Sequence, residues 1–318
     1  GCDLFDSAAY AIYAREDRYM TETGTARLRE LDYLPCSCPA CTKTSPEKVI
    51  ALSKPKRQAF LARHNLYVCF SEIRQIKQSI VEGRLWEHLG MRAHGHPALL
   101  RAVKELAKYN RYLEENSPVT KKSGLFFFSS LDLSRPEILR HKKRLSKRYS
   151  PPKTAKLLLL LPQTRTKPFH KSWEHQEALK EIQRKLGAKT SKVHVCTYAA
   201  PFGVIPAELD EVYPLSQHET ATPLDTETID YVAEQVANYI AEKHYKKVVL
   251  VENHETWQKK VTSICKRICK KNNIPLAVVQ ANYPWSKSVL NNVGATVQAL
   301  LRGEKTTLLS ESQQHRLS

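Results

Sequence analysis

From Ala155 onward, apolar runs of strand length alternate with stretches of helical period, and this alternation limits the fold more than any other feature. Ala155–Leu161 reads as a strand and Trp173–Leu186 as a helix ending at Gly187. Val193–Tyr198, Lys247–Glu252 and Pro275–Gln280 read as further strands. Glu227–His244, Trp257–Lys271 and Val289–Leu301 read as further helices. Near-continuous apolar strands separated by helices pair in parallel, with the helices covering both faces. A smaller α/β domain with a mostly parallel sheet is therefore expected over residues 153–305, with a polar tail at 306–318.

The preceding part has a different pattern. Lys56–Val81 carries Phe60, Leu61, Leu66, Ile73, Ile76 and Ile80 at helical spacing, and Leu99–Leu113 continues in kind. Ser123–Ser129, after which the chain turns basic, reads as a strand. Between Arg135 and Arg148 seven Lys or Arg side chains face one acid, Glu137, so residues 131–152 read as a basic helix and a linker. Pro136 suits the helix start and Pro151-Pro152 the stop.

The net charge is +18, and a chain this basic often meets a polyanion, nucleic acid first. A solvated basic surface is the plainer alternative. The candidate RNA contacts are Arg140, Lys142, Lys143, Arg144, Lys147 and Arg148. No stretch reaches the roughly 18 apolar residues of a membrane helix. The acids and arginines of the first twenty residues do not fit a signal peptide. No membrane contact and a cytoplasmic location are expected.

Three of the eight cysteines form Cys36-Ser-Cys38-Pro-Ala-Cys41. Thiolates this close can share one tetrahedral metal ion, and a histidine from a following helix, such as His64, can close the fourth position. Such a filled set leaves no place for water and is structural. Spacing alone leaves His64 open, because it is one of 12 histidines. Cys265 and Cys269, one helical turn apart, could also share a metal, but read more simply as unrelated helix thiols.

Gly1-Cys-Asp-Leu-Phe-Asp-Ser-Ala-Ala-Tyr10, Arg18-Tyr-Met-Thr21, Gly24-Thr25, Leu34–Cys41 and Leu61-Ala-Arg-His-Asn-Leu66 occur in the order and spacing of a known family. Over about residues 1–130 the chain resembles archaeal-type tRNA-guanine transglycosylase. The resemblance implies that Cys36, Cys38, Cys41 and His64 hold one structural zinc. It implies that Asp6 is the catalytic nucleophile, attacking the ribose of a D-arm guanosine. 7-Cyano-7-deazaguanine then displaces it from the covalent tRNA intermediate, in the archaeosine pathway. It makes residues 1–130 the last part of a (β/α)8 barrel with a zinc-binding insertion. The upstream half, with a second aspartate, would be supplied in cis or in trans, and a truncated record is favoured by the start at Gly1. A homodimer is possible.

Pro162, Lys167, Pro168, Ser172 and His175 fit a signature of archaeosine synthase, a related family that modifies the inserted base using lysine. Gln163 and Phe169 replace that signature's Cys and Tyr. Lys167, Ser172 and His175 are the candidate site of the second domain; a plain βα loop is the alternative. The long loop from Tyr198 to about Thr226 is also a functional candidate. The leading expectation is thus a pentosyltransferase, partial as given. A lysine transferase and a non-catalytic tRNA-binding subunit are the alternatives.

Overall fold

The computed structural model describes residues 6–280 and 283–303. The chain divides into two compact units, residues 1–106 and 107–318. The fold is mixed α/β, and all of the described parallel strands lie in the second unit.

The first unit opens with helix α1 (Ala9–Arg15) and an antiparallel hairpin of β1 (Arg18–Thr21) and β2 (Gly24–Arg27). A loop carrying the cysteines leads to α2 (Pro46–Ile50) and to the 29-residue α3 (Lys54–Glu82), which contains the helical stretch expected over Lys56–Val81. Pro55 suits the first turn of α3, where its missing N–H is not needed, and Gly83 ends the helix in the left-handed region at φ 74°. Next come α4 (Leu85–Ala93) and α5 (Pro97–Glu105). A small core of Ala14, Tyr19, Leu28, Cys41, Val49 and Leu61 fastens α1, the hairpin and the cysteine loop to α3.

The single helix expected over 99–113 is broken. After α5 a 3-10 turn over 106–109 precedes the short α6 (Asn110–Glu115) in the second unit. The division between the units at Leu106 therefore comes earlier than the boundary expected at 130. The reason is pairing: β3 (Leu125–Phe127) hydrogen-bonds in parallel to β7, 93 residues later in register.

The second unit continues with α7 (Pro136–Lys147), the expected basic helix, and then β4 (Leu157–Pro162). α8 (Trp173–Leu186) crosses to β5 (Val193–Ala199), and β6 (Gly203–Pro206) folds back antiparallel on it. Gly203 sits at φ +82° with Gln235 Cβ 2.4 Å from where its own Cβ would be, so only glycine fits that turn. β7 (His218–Thr220) lies in the loop expected over 198–226. α9 (Thr226–Glu242), β8 (Lys247–Val251), α10 (His254–Trp257), α11 (Lys260–Lys271), β9 (Leu276–Val279) and α12 (Lys287–Arg302) complete the unit. The sheet order is β6-β5-β4-β8-β9, parallel except for β6. Every residue of β4 is buried, because α9 and α11 cover one face of the sheet and α8 and α12 the other.

Among the described residues no helix is long and apolar enough to cross a membrane.

Candidate metal centre and basic helix

Cys36, Cys38, Cys41 and His64 converge, with one ligand atom from each lying within 4.8 Å of all the others. Cys38 Sγ is 3.5 Å from Cys41 Sγ, and His64 Nδ1 is 3.6 and 3.3 Å from those two sulfurs. A tetrahedral ion with bonds of about 2.0–2.3 Å needs ligand separations of roughly 3.5–3.8 Å, so the residues fit.

Two contacts prepare His64 as a ligand. Its Nε2 donates to the Met20 carbonyl at 2.9 Å, which leaves Nδ1 as a lone pair facing the sulfurs. Its ring stacks on Tyr19 at 3.6 Å and 13°. Tyr19 also places its hydroxyl 3.4 Å from Cys41 Sγ. Asn65, fully buried beside His64, accepts from Met20 N–H and donates to the Tyr10 and Arg18 carbonyls, tying α1 and β1 to α3. Arg57 grips Asp17 with two hydrogen bonds of 2.9 and 3.1 Å at the corner before β1. Nothing in the spacing of these supports announces them; Asn65 is visible only as the neighbour of His64 in the motif.

Electrostatics explain why the set calls for a cation. Burial pushes the Cys41 thiol up to about 12, raises Cys36 as well, and lowers His64. Without a positive ion, burial favours the protonated thiols of Cys36 and Cys41. A bound dication reverses that preference, so metal binding releases protons and ties the loop to α3. Among the described residues this is the one such cluster of metal-ligating side chains. Cys265 and Cys269 are instead both buried in the core face of α11.

Asp6 is exposed and lies three residues before α1. Asp3 lies outside the described residues.

The basic helix α7 has two faces. Ile138 and Leu145 are buried, and so is Arg140, which donates to the carbonyls of Pro118, Glu114 and Ser117 at 3.1, 2.8 and 3.0 Å. A guanidinium committed to three carbonyls cannot turn to a phosphate, so Arg140 leaves the set of RNA-contacting candidates. Lys142, Lys143, Arg144, Lys147 and Arg148 are exposed, Lys143 pairing with Glu114 at 2.7 Å.

The second-domain candidates part company. Ser172 is fully buried and caps α8, its Oγ accepting from His175 N–H at 3.2 Å. His175 is buried against Trp285 and donates through Nε2 to the Pro162 carbonyl at 3.0 Å, bracing the end of β4. Both are spent on structure. Gln163 uses its Oε1 to hold Ala200 N–H at 2.8 Å. Of the three candidates Lys167 alone lines a cavity, which Gln163 also borders.

The comparisons agree with this division. The family model described as Queuine tRNA-ribosyltransferase matches residues 1–98, and the one described as Domain of unknown function (DUF5591) matches residues 138–297. A protein named tRNA-guanine(15) transglycosylase from Methanocaldococcus jannaschii is 44% identical over 231 residues, covering 71% of this chain and 33% of the relative. Relatives of the same name from Methanobrevibacter smithii and Saccharolobus solfataricus are each 37% identical. They match 80% and 79% of this chain, and 38% and 49% of their own lengths. The chain spans a third to a half of these curated relatives.

Proposed function

Since the chain belongs to the DUF5591 family and carries a Queuine tRNA-ribosyltransferase segment before that domain, we propose that it is part of a tRNA-guanine transglycosylase. The observation that carries this reading is the continuity of the match. Relatives named for guanine exchange at tRNA position 15 align across both units in one stretch.

In this proposal Asp6 is the nucleophile. Its carboxylate attacks the anomeric carbon of the target guanosine, guanine departs with the bonding electrons, and an ester between Asp6 and the ribose remains. A second displacement by 7-cyano-7-deazaguanine restores the glycosidic bond with retention, the logic of a retaining glycosidase. Two features support the assignment: the place of Asp6 in the Asp-Leu-Phe-Asp motif, and its exposure ahead of α1. The first unit would be the closing part of a (β/α)8 barrel, completed by an upstream half in cis or in trans. The metal would be zinc, held by Cys36, Cys38, Cys41 and His64, with no open position and a structural role. The exposed cations of α7 would meet the tRNA backbone. Burial of Ser172 and His175 weighs against lysine transfer at those residues.

The test is incorporation of labelled guanine into archaeal tRNA by the chain combined with an upstream barrel half from a relative. Exchange above either piece alone supports the reading. Tight tRNA binding without exchange by the reconstituted pair favours a non-catalytic binding subunit.

A further inference from the structure

The parallel sheet of the DUF5591-matching unit offers a second candidate site beside its central strand. β4 leads through α8 to β5 on one side of it, and the chain later returns to place β8 on its other side. Open α/β sheets take ligands where the strand order reverses in this way, outside the carboxyl ends of the two strands. Here a crevice of about 860 Å³ is walled by the segment after β4, containing Arg165 and Lys167, and by the segment after β8, containing Thr256 and Gln258. That is ample for a ligand of nucleotide size.

The two cations of the crevice share its lining with the exposed carboxylates of Glu219 and Glu255, but neither is hydrogen-bonded or ion-paired to a described residue. Lys167 is half-buried and makes no hydrogen bond or ion pair with a described residue; its ammonium lies 5.9 Å from the Phe169 ring centroid. Arg165 is exposed at the mouth and likewise unpaired among the described residues. Both also line an adjoining hollow of about 240 Å³, where His218 is buried and its Nε2 has no partner. Burial, and then the Lys167 ammonium, hold His218 neutral down to about 3. The neutral His218 adds no positive charge there, and it is the half-buried ammonium of Lys167, without a hydrogen-bonded partner among the described residues, that favours an anion. The wall also shows local strain: Gln258 and Lys259 sit in succession at φ 49° and 61°.

We propose that this crevice binds a small phosphorylated ligand, with its phosphate held by Lys167 and Arg165. Two positive charges suit the near double charge of a phosphate monoester, and lysine is a common point-charge partner for it. Glu219 and Glu255, both exposed on the lining, repel a continuous polyanion but leave room for a single anionic head. The site is independent of base exchange at Asp6 and uses neither Ser172 nor His175.

The probe is pyrophosphate, titrated calorimetrically into the complete chain. Saturable one-to-one binding is expected. Lys167→Gln should weaken it by about tenfold or more, while Lys167→Arg should stay within a few-fold of the parent, as loss of one charge-assisted contact predicts. Lys189→Gln, exposed and away from the crevice, should change nothing. In the parent the ring signals of His218 should shift on binding, a readout that a folding defect in a variant does not touch. Absence of saturable binding by the parent, or equal binding by Lys167→Gln, overturns the proposal. So does displacement of pyrophosphate by a short single-stranded RNA whose own binding needs Lys167, because the phosphate would then come from an RNA backbone.

Discussion

His64 shows how much a single side chain carries. Its two ring nitrogens do different work: Nε2 donates to the Met20 carbonyl, and Nδ1 faces Cys38 and Cys41. Cys38→Ser should therefore reduce the metal from about one ion per chain and loosen the cysteine loop, because metal-binding energy here is folding energy. Elemental analysis of the folded variant decides it; parent-like metal content contradicts the ligand assignment. Two histidines of the second unit, buried His218 and part-buried His141, make a separate prediction. His218 and His141 stay neutral down to about 3 and about 4, chiefly through burial, whereas an unfolded imidazole takes its proton near 6.5. Between 6.5 and 4 the unfolded chain binds more protons than the folded one. Their contribution is therefore fully present above 6.5 and is lost as pH falls, at about 1.4 kcal/mol per unit for each. Hydrogen exchange of the β4 amides follows this unit alone. Protection that is flat from pH 7 to 5 refutes the prediction.

At the scale of elements, α7 separates stability from binding. Arg140→Ala removes a buried guanidinium from the part-buried carbonyls of Glu114, Ser117 and Pro118 and should cost about 2 kcal/mol in urea unfolding of this unit. Lys142, Lys143 and Arg144 changed together to Ala should leave stability nearly unchanged. They should flatten the slope of log tRNA affinity against log salt by about 2, as each lost phosphate contact removes somewhat under one unit. An unchanged slope makes the exposed face of α7 a solvated surface. Removing the α8 cap, Ser172→Ala, should cost about 1 kcal/mol. Legibility divided along the same lines. Strands β4, β5, β8 and β9 could be read because buried parallel strands are continuous apolar runs. The short strands β6 and β7 could not: β7 is defined by its pairing with β3, distant in sequence, and β6 by a turn at Gly203. The division of α7 was hidden for a similar reason. Charge composition showed a basic helix, but the carbonyls that claim Arg140 come from residues 114–118.

For the whole molecule the question is what one exposed carboxylate can do when the chain spans a third to a half of its relatives. The three cysteines could be read in the sequence because ligand chemistry imposes both residue type and spacing, whereas His64 joined them only through the resemblance. Asp6 was legible only through resemblance, since a lone aspartate before a helix carries no chemical signature of its own. The decisive variant is Asp6→Asn, which keeps the shape but removes the charged oxygen that bonds to the anomeric carbon. With the upstream half supplied, we expect guanine exchange to fall by several orders of magnitude, on the order of the loss seen when a catalytic nucleophile is removed. tRNA affinity and metal content should stay near those of the parent, because Asp6 belongs to neither the cysteine cluster nor α7. The parent should also yield a tRNA adduct that survives a denaturing gel and disappears in Asp6→Asn. If the variant exchanges base as fast as the parent, the nucleophile lies elsewhere, and the upstream half becomes the place to look for it. If the adduct persists while exchange is lost, Asp6 positions the substrate and another carboxylate forms the bond.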